Sequence, residues 1–199
     1  MKIKNIHFLV LVILVIAVSC SPKNFSTKYY YKNEKVLDSI EQSYKTMDDK
    51  TPFNIAFTSK GFNVFSVGIV TDTLTYIYEF SLNESRLTDT LTKYHLDAPK
   101  VEELIRQMRS IKCIWINKYN YYVDEKKNSL IYLSIKPALR MPFSPQKYYI
   151  LSYFKAPQYF DSEGRLLDKR RRRRLRKING EIFKKINDKV CYTVSNAYR

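Results

Sequence analysis

The chain has 199 residues and carries 35 Lys plus Arg against 19 Asp plus Glu, a formal net charge of +16. That length gives one domain a sizeable core and leaves no room for a second. Only 4 Gly disfavour a Gly-rich, phosphate-cradling enzyme, whereas 17 Tyr and 11 Phe favour a packed, strand-rich fold.

Lys2 and Lys4 open the chain, residues 8–18 are unbroken apolar, and Ser19 and Cys20 follow. This is a secretory signal layout. A membrane-spanning helix needs about 20 apolar residues, so this shorter run reads as a cleaved signal. Ala17-Val18-Ser19-Cys20 resembles the lipobox of bacterial lipoproteins, in which small residues precede an essential cysteine; Ala17 stands where the family favours Leu. The resemblance covers the signal alone. It implies cleavage before Cys20, a diacylglycerol thioether and a fatty-acylated (palmitate-type) amine on that residue, and attachment to a membrane of the cell envelope. Ser21 in place of Asp implies the outer membrane, and residues 21–24 lack the acidic cluster of surface lipoproteins, implying a periplasm-facing position. The expected organisation is a signal over 1–19, a lipidated tether over 20–33 and a single α+β domain over 34–199.

Val36/Leu37, Ile40, Tyr44 and Met47 recur at helical spacing, predicting a helix over 34–49 that stops before Thr51-Pro52. Phe53, Ile55 and Phe57 alternate with smaller or polar residues, and the alternation continues over 62–70 and 74–82, predicting three strands of an antiparallel meander. Asp97 and Pro99 signal a helix start, with Val101, Leu104, Ile105 and Met108 on one stripe. Strands are expected over 113–123, 129–136 and 147–154, with 124–128 as the first connection. A last helix is expected over 168–189, with Leu175, Ile178, Ile182 and Ile186 as its stripe; Asn179-Gly180 interrupts it, because Gly inside a helix costs about 1 kcal/mol. The predicted fold is an antiparallel sheet of about six strands with helices packed on it: helix, three strands, helix, three strands, closing helix.

Five consecutive arginines, Arg170, Arg171, Arg172, Arg173 and Arg174, followed by Arg176, open that last helix. At about 100° per residue they circle the axis, so this turn must project beyond the packed body. Cations at a helix N-terminus oppose the macrodipole by about 0.3–1 kcal/mol each, so an anionic partner explains the cluster better than stability does. Its plain alternative is a solvated basic end partly neutralised by Asp161, Glu163 and Asp168. Export disfavours nucleic acid and favours an anionic lipid, a cell-wall polymer or an acidic protein.

The proline-rich loop over 137–145 presents Arg140, Met141 and Phe143 as a second surface, or folds the latter two onto the sheet. Tyr119, Tyr121 and Tyr122 read as strand packing. Cys113 and Cys191 can pair in an oxidising compartment if their backbones approach within about 7 Å; otherwise both are buried thiols. His7 leaves with the signal, so His95 is the sole histidine of the mature chain, which excludes a multi-histidine zinc site. His95 with Asp97 and Ser81 or Ser85 is a weak catalytic candidate, since no nucleophile-elbow motif accompanies it. No cofactor or metal is indicated. The sequence thus predicts an envelope lipoprotein acting as a binding or assembly module, with an immunity or inhibitor lipoprotein, or a periplasmic hydrolase using His95, as alternatives.

Overall fold

A stripe of Ser26, Tyr30, Leu37, Ile40, Tyr44 and Met47 runs at intervals of three, four or seven down one long helix, α1 (Pro22–Asp48), and each of these side chains is buried. The computed structural model describes residues 22–123, 125–138, 145–168 and 174–196. Cys20, Arg170, Arg171, Arg172, Arg173, Arg140, Met141 and Phe143 lie outside them. At 1.5 Å per residue, α1 is about 40 Å long. It starts twelve residues before the expected position 34, and the burial of Ser26 and Tyr30 makes residues 22–33 a packed part of the domain instead of a loose tether. Among the described residues, no helix is long and apolar enough to cross a membrane.

α1 ends before Thr51-Pro52, and the chain enters the meander β1 (Phe53–Phe57), β2 (Val64–Val70) and β3 (Thr75–Ser81). Two helices follow: α2 (Arg86–Lys93), which the sequence reading missed, and α3 (Ala98–Ser110), whose N-cap Asp97 accepts the Lys100 N–H at 3.3 Å. Then come β4 (Trp115–Val123), β5 (Lys126–Pro137) and β6 (Tyr148–Phe154). Glu125, held at φ 64°, makes the β4–β5 connection tighter than the expected loop, so β5 begins at Lys126.

The expected closing helix is absent over the described residues. Its place is taken by short strands: β7 (Lys177–Ile178) and β8 (Glu181–Ile182), then β9 (Lys184–Lys185) and β10 (Val190–Ser195). The reason is Asn179-Gly180, which adopt φ 50° and 78°, both positive, as a two-residue hairpin turn demands and a helix forbids. Upstream, Leu167 pairs antiparallel with Leu175, and the Asp168 N–H donates to the Arg174 carbonyl at 2.9 Å. Arg174 and Arg176 therefore lie outside any helix, while the rest of the arginine run lies outside the described residues.

The result is a single α+β fold with three described helices and an eight-stranded antiparallel sheet, in the order β3-β2-β1-β4-β5-β6-β10-β9. The sheet exceeds the expected six strands because β10, rich in β-branched residues, joins β6, and β9 joins β10. One face carries the main core, where α1, α2 and α3 lie on Ile55, Val67, Ile69, Ile116 and Leu133. On the opposite face, Leu166, Ile178 and Phe183 from the C-terminal segment cover Leu130, Ile150 and Phe154, each burial contributing about 1.5–3 kcal/mol. The C-terminal segment is thus a second layer of core.

Candidate functional site

At one end of the sheet, β1 ends, β4 begins, β5 ends and β6 begins. The first turns of α1 and the last turn of α3 overhang these strand ends and leave a cleft of about 820 Å³. Its walls are mainly apolar: Phe25 and Tyr29 from α1, Phe57 and Phe62 around the β1–β2 connection, Ile111 and Ile114 after α3, and Ile135 from β5. Lys32, Lys60, Lys112 and Lys136 line it as well, and all four are exposed. Among the described lining residues none is acidic. None of the four lysines forms an ion pair with a described residue.

Aromatic packing fixes the walls. Phe25 lies 4.6 Å from the Tyr149 ring, and Lys136 Nζ sits 5.0 Å from the Phe25 ring centroid, a cation–π distance. Phe57 and Phe62 are 4.9 Å apart. The Tyr29 hydroxyl donates to the Ile111 carbonyl at 2.8 Å, tying α1 to the end of α3 across the cleft. Burial, reinforced by the Cys113 sulfur nearby, holds the Tyr29 phenol far above its ordinary pKa, so it stays protonated and keeps this bond.

Two lining residues hold backbone conformations unusual for their type. Phe62 has φ 55° and Lys112 has φ 56°, in the left-handed region that bulky residues rarely occupy. At α3 the cause is local: the Cys113 N–H donates to the Met108 carbonyl at 2.8 Å and the Lys112 N–H to the Arg109 carbonyl at 3.1 Å. This Schellman motif places Lys112 where glycine is preferred. A lysine there costs about 1 kcal/mol or more of backbone strain, the kind that collects at functional sites.

The sequence-predicted candidates fall elsewhere. Arg174 is exposed, and Arg176 is half-buried and donates from Nη1 to Gln158 Oε1 at 2.9 Å; neither lines the cleft. His95 is exposed at φ 58° in the turn between α2 and α3. Asp97 serves the α3 N-terminus and pairs with Lys100 Nζ at 2.8 Å, and Ser81 and Ser85 form no described hydrogen bond with His95. A catalytic set is not assembled there among the described residues. Cys113 and Cys191 are free and buried, and they belong to the cores on opposite faces of the sheet, so no disulfide joins them. Tyr119 and Tyr121 pack against the second core, as expected of strand residues, while Tyr122 is exposed.

A second, polar cavity of about 470 Å³ contains Asp48, Asn117, Lys118, Asn120 and Asn128. Its Asp48 and Lys118 charges are matched to each other, Asp48 Oδ2 and Asp49 Oδ1 lying 3.1 and 2.8 Å from Lys118 Nζ, while Lys127, which also lines the cavity, forms no ion pair with a described residue. Asp48 also accepts the Tyr44 hydroxyl and the Phe53 N–H, each at 3.1 Å, so the cluster locks the end of α1 to β1 and β4. Among the described residues, no group of acidic, histidine or cysteine side chains is arranged to hold a metal. Neither a protein-family model, nor a curated protein, nor a solved structure matches the chain.

Proposed function

We propose that the protein is a lipid-anchored envelope lipoprotein, attached through Cys20 to the periplasmic side of the outer membrane, that binds an anionic, partly apolar ligand in the cleft at the sheet end. The supporting observation is a set of four lysines, none ion-paired with a described residue, around apolar walls with no acidic residue among the described lining. Apolar walls gain by excluding water at about 25 cal/mol per Å² buried, while ammonium groups select a negative head. At about 0.5 kcal/mol per exposed charge pair, four lysines contribute about 2 kcal/mol, or about 30-fold in affinity. This moves the anion contact expected at the arginine run to a built concavity near the anchored end of α1.

The test uses the full lipidated chain in phosphatidylcholine vesicles with anilinonaphthalene sulfonate, a fluorescent apolar anion. The native chain is expected to give a saturable signal above protein-free vesicles. Combined substitution of Lys32, Lys60, Lys112 and Lys136 by Gln is expected to weaken it about 30-fold with unchanged circular dichroism. Equal binding by both chains would refute the cleft as the site.

A further inference from the structure

We infer that the ligand is a single-chain acyl anion taken from the leaflet that carries the Cys20 lipid, an inference that rests on the cleft being the binding site. The first ground is volume. At about 30 Å³ per packed group, the share of one water in the liquid, 820 Å³ holds about 27 groups. A fatty acid such as palmitate has about 18 non-hydrogen atoms and a diacyl phospholipid about 50, so the cleft takes up one chain with its head whole and would leave much of a two-chain lipid outside.

The second ground is the division of chemistry around the space. Phe25, Phe57, Phe62, Ile111 and Ile135 offer no hydrogen-bond partner to a sugar or peptide, which would lose its water without compensation. An alkyl chain loses nothing there. Of the polar side chains in the lining, Asn33 and Ser110 donate to the Tyr29 and Gln107 carbonyls, Thr58 donates to Glu79, and Ser59 accepts the Asn63 and Val64 N–H groups, which leaves the lysine ammonium groups to meet a compact carboxylate or phosphate.

Position is the third ground. Along α1, Lys32 lies about 15 Å from Pro22, and Cys20 is two residues earlier, at most about 7 Å of extended chain. The anchor therefore holds the cleft within about one leaflet's thickness of the headgroups. A monoacyl anion enters from that layer without crossing bulk water, and the lysines are attracted to the same negatively charged surface.

The experiment extends the vesicle assay. Sodium palmitate is titrated against probe-loaded full chain, beside neutral hexadecanol and beside vesicles containing phosphatidylglycerol. Palmitate is expected to displace the probe at least about tenfold more effectively than hexadecanol or phosphatidylglycerol, and this preference is expected to vanish in the four-Gln chain. Probe binding without palmitate displacement, or displacement as effective by hexadecanol or phosphatidylglycerol, overturns the single-chain anion while the binding reading stands. Probe bound only by a Cys20→Ser chain assigns the cleft to the protein's own acyl chains and overturns the inference too. No cleft-dependent probe binding in either chain removes the reading beneath it.

Discussion

Lys112→Gly separates stability from binding, because Lys112 combines a strained backbone with a charge on the cleft. At φ 56°, relief of the left-handed penalty contributes about 1–2 kcal/mol, and the added freedom of glycine in the unfolded chain takes back about 0.4–1 kcal/mol. The net expectation is a gain of about 0.5–1 kcal/mol. With a urea slope of about 2 kcal/mol/M, the midpoint rises by about 0.3–0.5 M. Loss of one exposed cation should weaken anionic-probe binding about two- to threefold in the same protein. Lys112→Ala removes the charge and keeps the strain, so it should match the Gly variant in binding without its gain in stability. Paired urea titrations and probe titrations measure both quantities. A Gly variant that is no more stable than the Ala variant would refute the strain argument, and unchanged probe affinity in both would refute a role for this lysine.

Asp48→Ala should cost about 3 kcal/mol in urea unfolding, since it breaks a buried pair and leaves the Phe53 N–H without its acceptor, whereas exposed Asp49→Ala should cost about 0.5 kcal/mol. Similar losses for the two would contradict the network. Burial, with the Glu34 charge added, raises the Asp38 carboxyl above its ordinary range. Its stabilising contribution is present below the unfolded-state value and is lost as pH rises through the raised folded-state value. Asp38→Asn should therefore stabilise the fold at neutral pH, with the gain shrinking toward about pH 4; a gain independent of pH would count against it. Burial pushes the Cys113 thiol to about 12 and also raises that of Cys191, so neither should react with a maleimide at neutral pH until the chain is unfolded. Modification of either in the folded chain would show that these cores open.

Where local chemistry and tertiary packing agree, the fold was legible. The alternation from Phe53 to Phe57 and the Asp97-Pro99 start of α3 both became the expected elements. The start of α1 was hidden because Ser26 and Tyr30 are modest helix signals that acquire their burial only from distant strands. Leu175, Ile178, Ile182 and Ile186 suggested a helix, yet Asn179-Gly180 is a stronger local signal, and its two positive φ values turned the segment into a hairpin. The cleft was not legible. Phe25, Phe62, Lys112 and Ile135 come from four separate stretches, and no spacing rule joins them. Charge drew attention to the longest run, whereas the four lysines of the cleft are isolated in sequence and meet only in space. Unusual φ at Phe62 and Lys112 is a backbone property and invisible before the fold is known.

The most direct test of the cleft is photocrosslinking in living cells, with benzoylphenylalanine placed at Phe62 in one chain and at Arg174 in another, followed by intact-mass analysis of each. A small-molecule adduct is expected at position 62, suppressed when the four cleft lysines are changed to Gln, and none at position 174. An adduct at 174 with none at 62 would return the ligand to the arginine segment and contradict the cleft as the binding site.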